Sequence, residues 1–151
     1  MKYKVLLIML ACKGVLFADL YLQQVISFSI APATEMLLLG PAPLFHLEGK
    51  EKSQQIEVAY AIHTNEKNKK ISAYLDAEMP QGTSLFVRLA PPRGARSLED
   101  QELSTTPTDL LLELSTVSQS GLPILYTFSA SDEAEKMPNL SRIITYTITD
   151  G

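Results

Sequence analysis

Cysteine is almost missing from this chain. Among 151 residues there is one, Cys12, and it falls in an N-terminal stretch that reads as an export leader. Small exported domains often staple themselves with disulfides. A single cysteine allows no internal disulfide, so packing and sheet hydrogen bonds must hold this fold. A zinc site of cysteine type is excluded as well. Histidine is also scarce. His46 and His63 are the only two, and they lie far apart. Imidazole catalysis and metal binding usually need several such rings converging with carboxylates, so both read as surface or loop residues. There is no G-x-S-x-G elbow, no H-E-x-x-H, no S-x-x-K, no phosphate-binding loop and no dinucleotide glycine fingerprint. These absences favour a protein that is not an enzyme, with no cofactor and no metal.

Long apolar runs are lacking too. The best one, Val5-Leu6-Leu7-Ile8-Met9-Leu10-Ala11, is short, and Lys13 interrupts its continuation. It cannot span a bilayer as a helix. With Lys2 and Lys4 ahead of it and Ala18 before the first acid, Asp19, it reads as a leader removed after Ala18. Residues 1–18 are then the leader and 19–151 one β-domain, with 19–24 as an N-terminal arm. A second cut has Met9-Leu10-Ala11-Cys12 as a loose lipobox, with Cys12 lipidated and the protein anchored in the envelope. Either way the expected location is the periplasm or cell surface of a bacterium.

Positive charge is the last shortage. Lys2, Lys4 and Lys13 leave with the leader, so thirteen basic residues become ten against seventeen acids, a net charge of about −7. That disfavours nucleic acid and anionic membrane surfaces as partners.

What the chain does contain is period-2 alternation. It runs through Ile26-Phe28-Ile30, Ile56-Val58-Tyr60-Ile62, Ile71-Ala73-Leu75 and Leu85-Val87-Leu89. It continues through Leu110-Leu112-Leu114, Ile124-Tyr126-Phe128 and Ile144-Tyr146-Ile148. Met36 to Leu39 adds a short strand ended by Gly40-Pro41. Thr105-Thr106-Pro107-Thr108 argues against a helix over Leu103–Val117. Asn65-Glu66-Lys67-Asn68 reads as a hairpin loop. Pro80-Gln81-Gly82 and Pro91-Pro92-Arg93-Gly94 read as turns, and Ser118–Pro123 and Ser131–Ser141 as loops. Seven to nine short strands in one domain predict an all-β fold, a single antiparallel Ig-like β-sandwich.

Tyr60 to Ile71, Met79 to Leu85 and the Thr-rich close Arg142 to Asp150 carry a resemblance. Together they resemble a loose group of small exported bacterial Ig-like β-sandwich proteins and, more distantly, pilus-subunit and surface domains. The likeness covers Ile56 to Gly151. It implies fold and location, and it offers no catalytic residues.

The candidate sites follow from this. Leu20, Leu22, Val25, Ile26 and Phe28 belong either to the domain's own first strand or to an arm that completes a neighbour's sheet by strand addition. Their alternation slips at Gln23-Gln24. Lys67, Lys69 and Lys70 cluster by the hairpin loop, where they either meet an anionic partner or protect a strand edge. His63, Arg93 and Arg96 are loop candidates for ligand contact. The acidic runs Glu99-Asp100-Gln101-Glu102 and Asp132-Glu133-Ala134-Glu135 read either as calcium-holding loops or as solvated surface. The expectation is an exported structural or surface protein, a fimbria-like subunit or adhesion module that self-associates or binds a protein partner. The alternative is a carbohydrate- or ligand-binding module without catalysis.

Overall fold

A computed structural model describes residues 22–137 and 139–151. The leader with its cut after Ala18, the lipidation alternative at Cys12, and Leu20 lie outside the described residues. The chain divides into two units, Met1–Ile30 and Ala31–Gly151.

The second unit is all-β. Its strands are β1 Thr34–Leu39, β2 Ser53–Thr64, β3 Lys69–Leu75, β4 Thr83–Leu89, β5 Arg96–Ser97, β6 Gln101–Glu102, β7 Thr108–Leu114, β8 Val117–Ala130 and β9 Ile144–Asp150. They form two antiparallel sheets, one in the order β1-β2-β8-β4-β6 and the other β5-β7-β3-β9. One apolar core draws on both sheets. Alternation produces this arrangement: Ile71, Ala73 and Leu75 of β3 and Leu85, Val87 and Leu89 of β4 are all buried, and the residues between them, Ser72 excepted, are less so.

The two sides of the sandwich differ. On one side the stretch 96–102 steps from sheet to sheet. β5 pairs with β7, and β6 then pairs with β4. Leu98 N–H donates to Leu110 O at 3.0 Å and Leu103 N–H to Leu85 O at 2.9 Å, which ties the crossing to both sheets. Leu103 is buried beneath it. On the other side the edges are β1 and β9, and no strand crosses between them among the described residues.

Several expectations from sequence need correction. Asn65–Asn68 is not a hairpin loop. β2 pairs with β1 and β8, while β3 pairs with β7 and β9, so this turn carries the chain from one sheet to the other. Ser118–Pro123 is not a loop but part of β8. Gly121, with φ of 73°, sits at a bulge between the pairs Tyr60–Leu122 and Ile62–Gln119. A glycine there supplies the left-handed backbone a bulge requires. In β7 the buried residues are Leu110, Leu111 and Leu114 rather than every second leucine. The register against β3 shifts twice, and Glu113 adopts a positive φ of 61°. Ile26, Phe28 and Ile30 form no strand. Residues 22–30 carry no regular structure, and Leu22, Val25, Ile26, Phe28 and Ile30 are all exposed.

Candidate functional site

The core is least complete along β1 and β9, the two edge strands on this side of the sandwich, whose shared margin we call the seam. Met36 and Leu38 of β1 stand opposite Ile62 and Tyr60, both buried. Directly paired residues share a face of the sheet, so Met36 and Leu38 also face the core. Yet Leu38 is 50% exposed. On β9, Ile144, Tyr146 and Ile148 stand opposite Leu75, Ala73 and Ile71, which are wholly buried. All three β9 residues remain only half-buried. Five inward apolar positions therefore lack a complete partner. Among the described residues, every buried apolar side chain belongs to β2, β3, β4, β7 or β8, apart from Pro92 and Leu103.

Polar groups hold the seam together where the apolar contact stops. At one end Thr34 Oγ1 donates to Glu66 Oε2 at 2.5 Å, Glu66 pairs with Lys69 at 3.1 Å, and Lys69 pairs with Asp150 at 2.7 Å. That chain links the start of β1 to the end of β9. The Thr34 hydroxyl, then Lys69, hold the Glu66 carboxyl below its ordinary value. Lys69 also lowers Asp150, and Asp150 and then Glu66 raise the Lys69 ammonium. Deeper in, the Tyr126 and Tyr146 hydroxyls meet at 2.6 Å across the two sheets. Burial pushes both phenols above their ordinary value.

The other candidate residues are not gathered into a site. Lys69 and Lys70 lie on β3, which is flanked on both sides, so they guard no strand edge. Lys70 pairs with Asp109 at 3.2 Å. Asp109 in turn accepts from Ser72 Oγ at 2.6 Å, and this bond lowers its carboxyl. Lys67 is exposed in the turn between the sheets. His63 is exposed on the outer face of β2, opposite Ser118. Arg93 lies in the turn after β4, where its backbone N–H donates to Gln119 Oε1 at 3.1 Å. Arg96 is on β5 and approaches Glu113 at 3.6 Å. His46 is exposed and meets Glu48 at 3.0 Å.

The acidic runs have neighbours of their own. Arg88 lies 3.6 Å from Glu99 and 3.7 Å from Asp100. Glu102 accepts from Ser84 Oγ at 2.8 Å, and Lys52 pairs with Asp132. Among the described residues no group of three or more His, Cys, Asp or Glu is placed to hold a metal ion. The surface formed by the described residues includes two shallow depressions. One of about 370 Å³ is lined by Pro80, Glu133 and Met137 among others, and one of about 310 Å³ by Arg88, Glu99 and Leu125. Neither is lined by an aromatic ring or by any of the loop candidates. No helix among the described residues is long and apolar enough to cross a membrane.

Sequence reasoning missed the seam. Its residues looked like ordinary core in their own strands, and only the sheet order reveals that two edges leave them uncovered. The chain matches no protein-family model and no curated protein.

Proposed function

We propose that this chain is an exported structural subunit of a fimbria-like or adhesive assembly. It is built on an Ig-like sandwich, and residues 22–30 of one copy add as a strand to the β1–β9 seam of the next. The observation that carries this reading is a complementary pair within one sequence. Residues 22–30 read Leu-Gln-Gln-Val-Ile-Ser-Phe-Ser-Ile and contain no charge. Extended, they place Ile26, Phe28 and Ile30 on one face. β9 presents Ile144, Tyr146 and Ile148 at the same two-residue spacing, all only partly buried, and β1, the edge strand of the other sheet, presents Met36 and Leu38. Strand addition satisfies edge hydrogen bonds and buries alternate side chains in one step. An N-terminal stretch that reads as an export leader, together with the resemblance to surface domains, supports the periplasm or the cell surface as its location.

The test is the size of the chain from Asp19 onward, followed by light scattering over a concentration series, beside the same chain lacking residues 22–30. Association that grows with concentration, and is lost with the deletion, is the expected result. Association unchanged by the deletion would falsify strand donation by this segment. A strict monomer at every concentration moves the reading to a ligand-binding module.

A further inference from the structure

We infer that Asn65 is a clamp that directs residues 22–30 to a second copy of the chain rather than to the seam of their own domain; this rests on the strand-donation reading above. Residues 31–33 run into β1, whose first residue, Thr34, pairs with Thr64. Just beyond that pair, Asn65 takes over the ladder. Its backbone N–H donates to Ala33 O at 3.1 Å. Its side-chain Oδ1 accepts from Ala33 N–H at 2.7 Å, and its Nδ2 donates to Ala31 O at 2.8 Å. A side-chain amide carries one acceptor and one donor group, as a peptide unit does. Asn65 thus mimics the next peptide of a partner strand and holds both sides of Pro32.

The sequence stiffens the same point. Pro32 has no N–H and a fixed φ, and it biases Ala31 toward extended conformations. One residue further in, Thr34 Oγ1 meets Thr64 Oγ1 at 2.8 Å and Glu66 Oε2 at 2.5 Å. The own seam lies beside β1. For residues 22–30 to enter it, the chain must reverse through 31–33. Those are the residues whose polar groups Asn65 occupies. Reversal breaks the bonds at Ala31 and Ala33, whereas insertion into another copy leaves them intact.

Asn65→Asp provides the test. It keeps an oxygen for Ala33 N–H, removes the donor to Ala31 O, and sets two acceptors against each other. The full chain from Asp19, the Asn65→Asp variant and the chain lacking residues 22–30 are compared by light scattering and by amide hydrogen exchange over residues 22–34. In Asn65→Asp the concentration for half-association is expected to rise about tenfold, the scale of one lost hydrogen bond. Its dilute monomer should gain exchange protection at residues 25–30, which marks insertion into the chain's own seam. Pro32→Gly loosens the same three residues without touching Asn65 or the core, and should act in the same direction. The clamp is overturned if both variants associate as the parent does and their monomers leave residues 25–30 unprotected. Unchanged association after deletion of 22–30 removes the donation reading itself, and a parent that never associates removes both.

Discussion

The two long sides of this sandwich are built from the same kinds of residue and finished differently. On the β4–β7 side, residues 96–102 cross between the sheets, and Val87, Leu89, Leu110 and Leu111 show no exposed surface. On the β1–β9 side no strand among the described residues crosses between the sheets; Phe45 of the β1–β2 connection packs against Phe128 and the core, and Leu38, Ile144, Tyr146 and Ile148 stay partly open. Composition therefore does not decide burial here. What decides it is whether a further segment of backbone lies across the gap between sheets. On the strand-donation reading proposed above, an open row of this kind is where another strand docks; exposed apolar rows are otherwise a liability.

The sharpest way to break this comparison is to truncate one side chain on each side. Leu110→Ala removes a fully buried side chain on the closed side. It should lower unfolding free energy by about 3 kcal/mol, within the usual range for buried leucine. Ile148→Ala on the open side should lower the stability of the monomer by only about 1 kcal/mol, because part of that side chain is already in contact with water. Urea unfolding at concentrations where the chain is monomeric measures both. Equal losses would mean that the sides do not differ energetically.

A smaller effect is expected from Tyr146→Phe. The change keeps the ring and removes the hydroxyl that meets Tyr126, so it should cost roughly 1 kcal/mol. Burial raises both phenols above their ordinary value of 10.0. Their contribution is therefore complete below pH 10.0 and is lost as the pH rises beyond it through the raised values. Thermal melting across that alkaline range should show the parent losing stability more steeply than Tyr146→Phe.

The smallest effect belongs to the polar chain at the seam's end. Glu66 and Asp150 are held below their ordinary values of 4.5 and 3.8. Their contribution is present above those values and fades as the pH falls through the lowered ones. Asp150 is exposed and Glu66 is in part reached by solvent, so added salt should shrink the effect further. Melting of the parent and of Lys69→Met between neutral pH and about pH 3 tests this: the acid-dependent loss should be shallower in Lys69→Met.

Strand positions were legible in the sequence wherever alternation was clean. β2, β3, β4 and β9 follow the apolar pattern, and Gly40-Pro41 marks the end of β1. Reading failed where a local signal carried a different meaning. Ser118 to Pro123 looked like a loop. Gly121 instead supplies a bulge, and Pro123, which has no N–H to donate, sits in the middle of β8 opposite Ala59. The leucines of β7 looked evenly alternating, but two register shifts bring Leu111 inward. Asn65 to Asn68 had hairpin chemistry, yet which strands pair is set by contacts far along the chain. The apolar pattern at Ile26–Ile30 suggested a strand, yet those residues form none; alternation alone does not name a strand's partner. The seam was illegible for the same reason: it is defined by strands β1 and β9, which are distant in sequence.

The bulge at Gly121 has a consequence for how this chain can change length. On one side of it the pairs run Val117–Thr64, Ser118–His63 and Gln119–Ile62, and on the other Leu122–Tyr60 onward. β8 therefore spends one more residue than β2 across the interval. Losing three nucleotides from the codons for Ser120 and Gly121 would leave every other strand pair opposite its present partner. In a sheet where a one-residue slip normally turns side chains to the wrong face, this is a point where a gene can shorten without rewriting the domain.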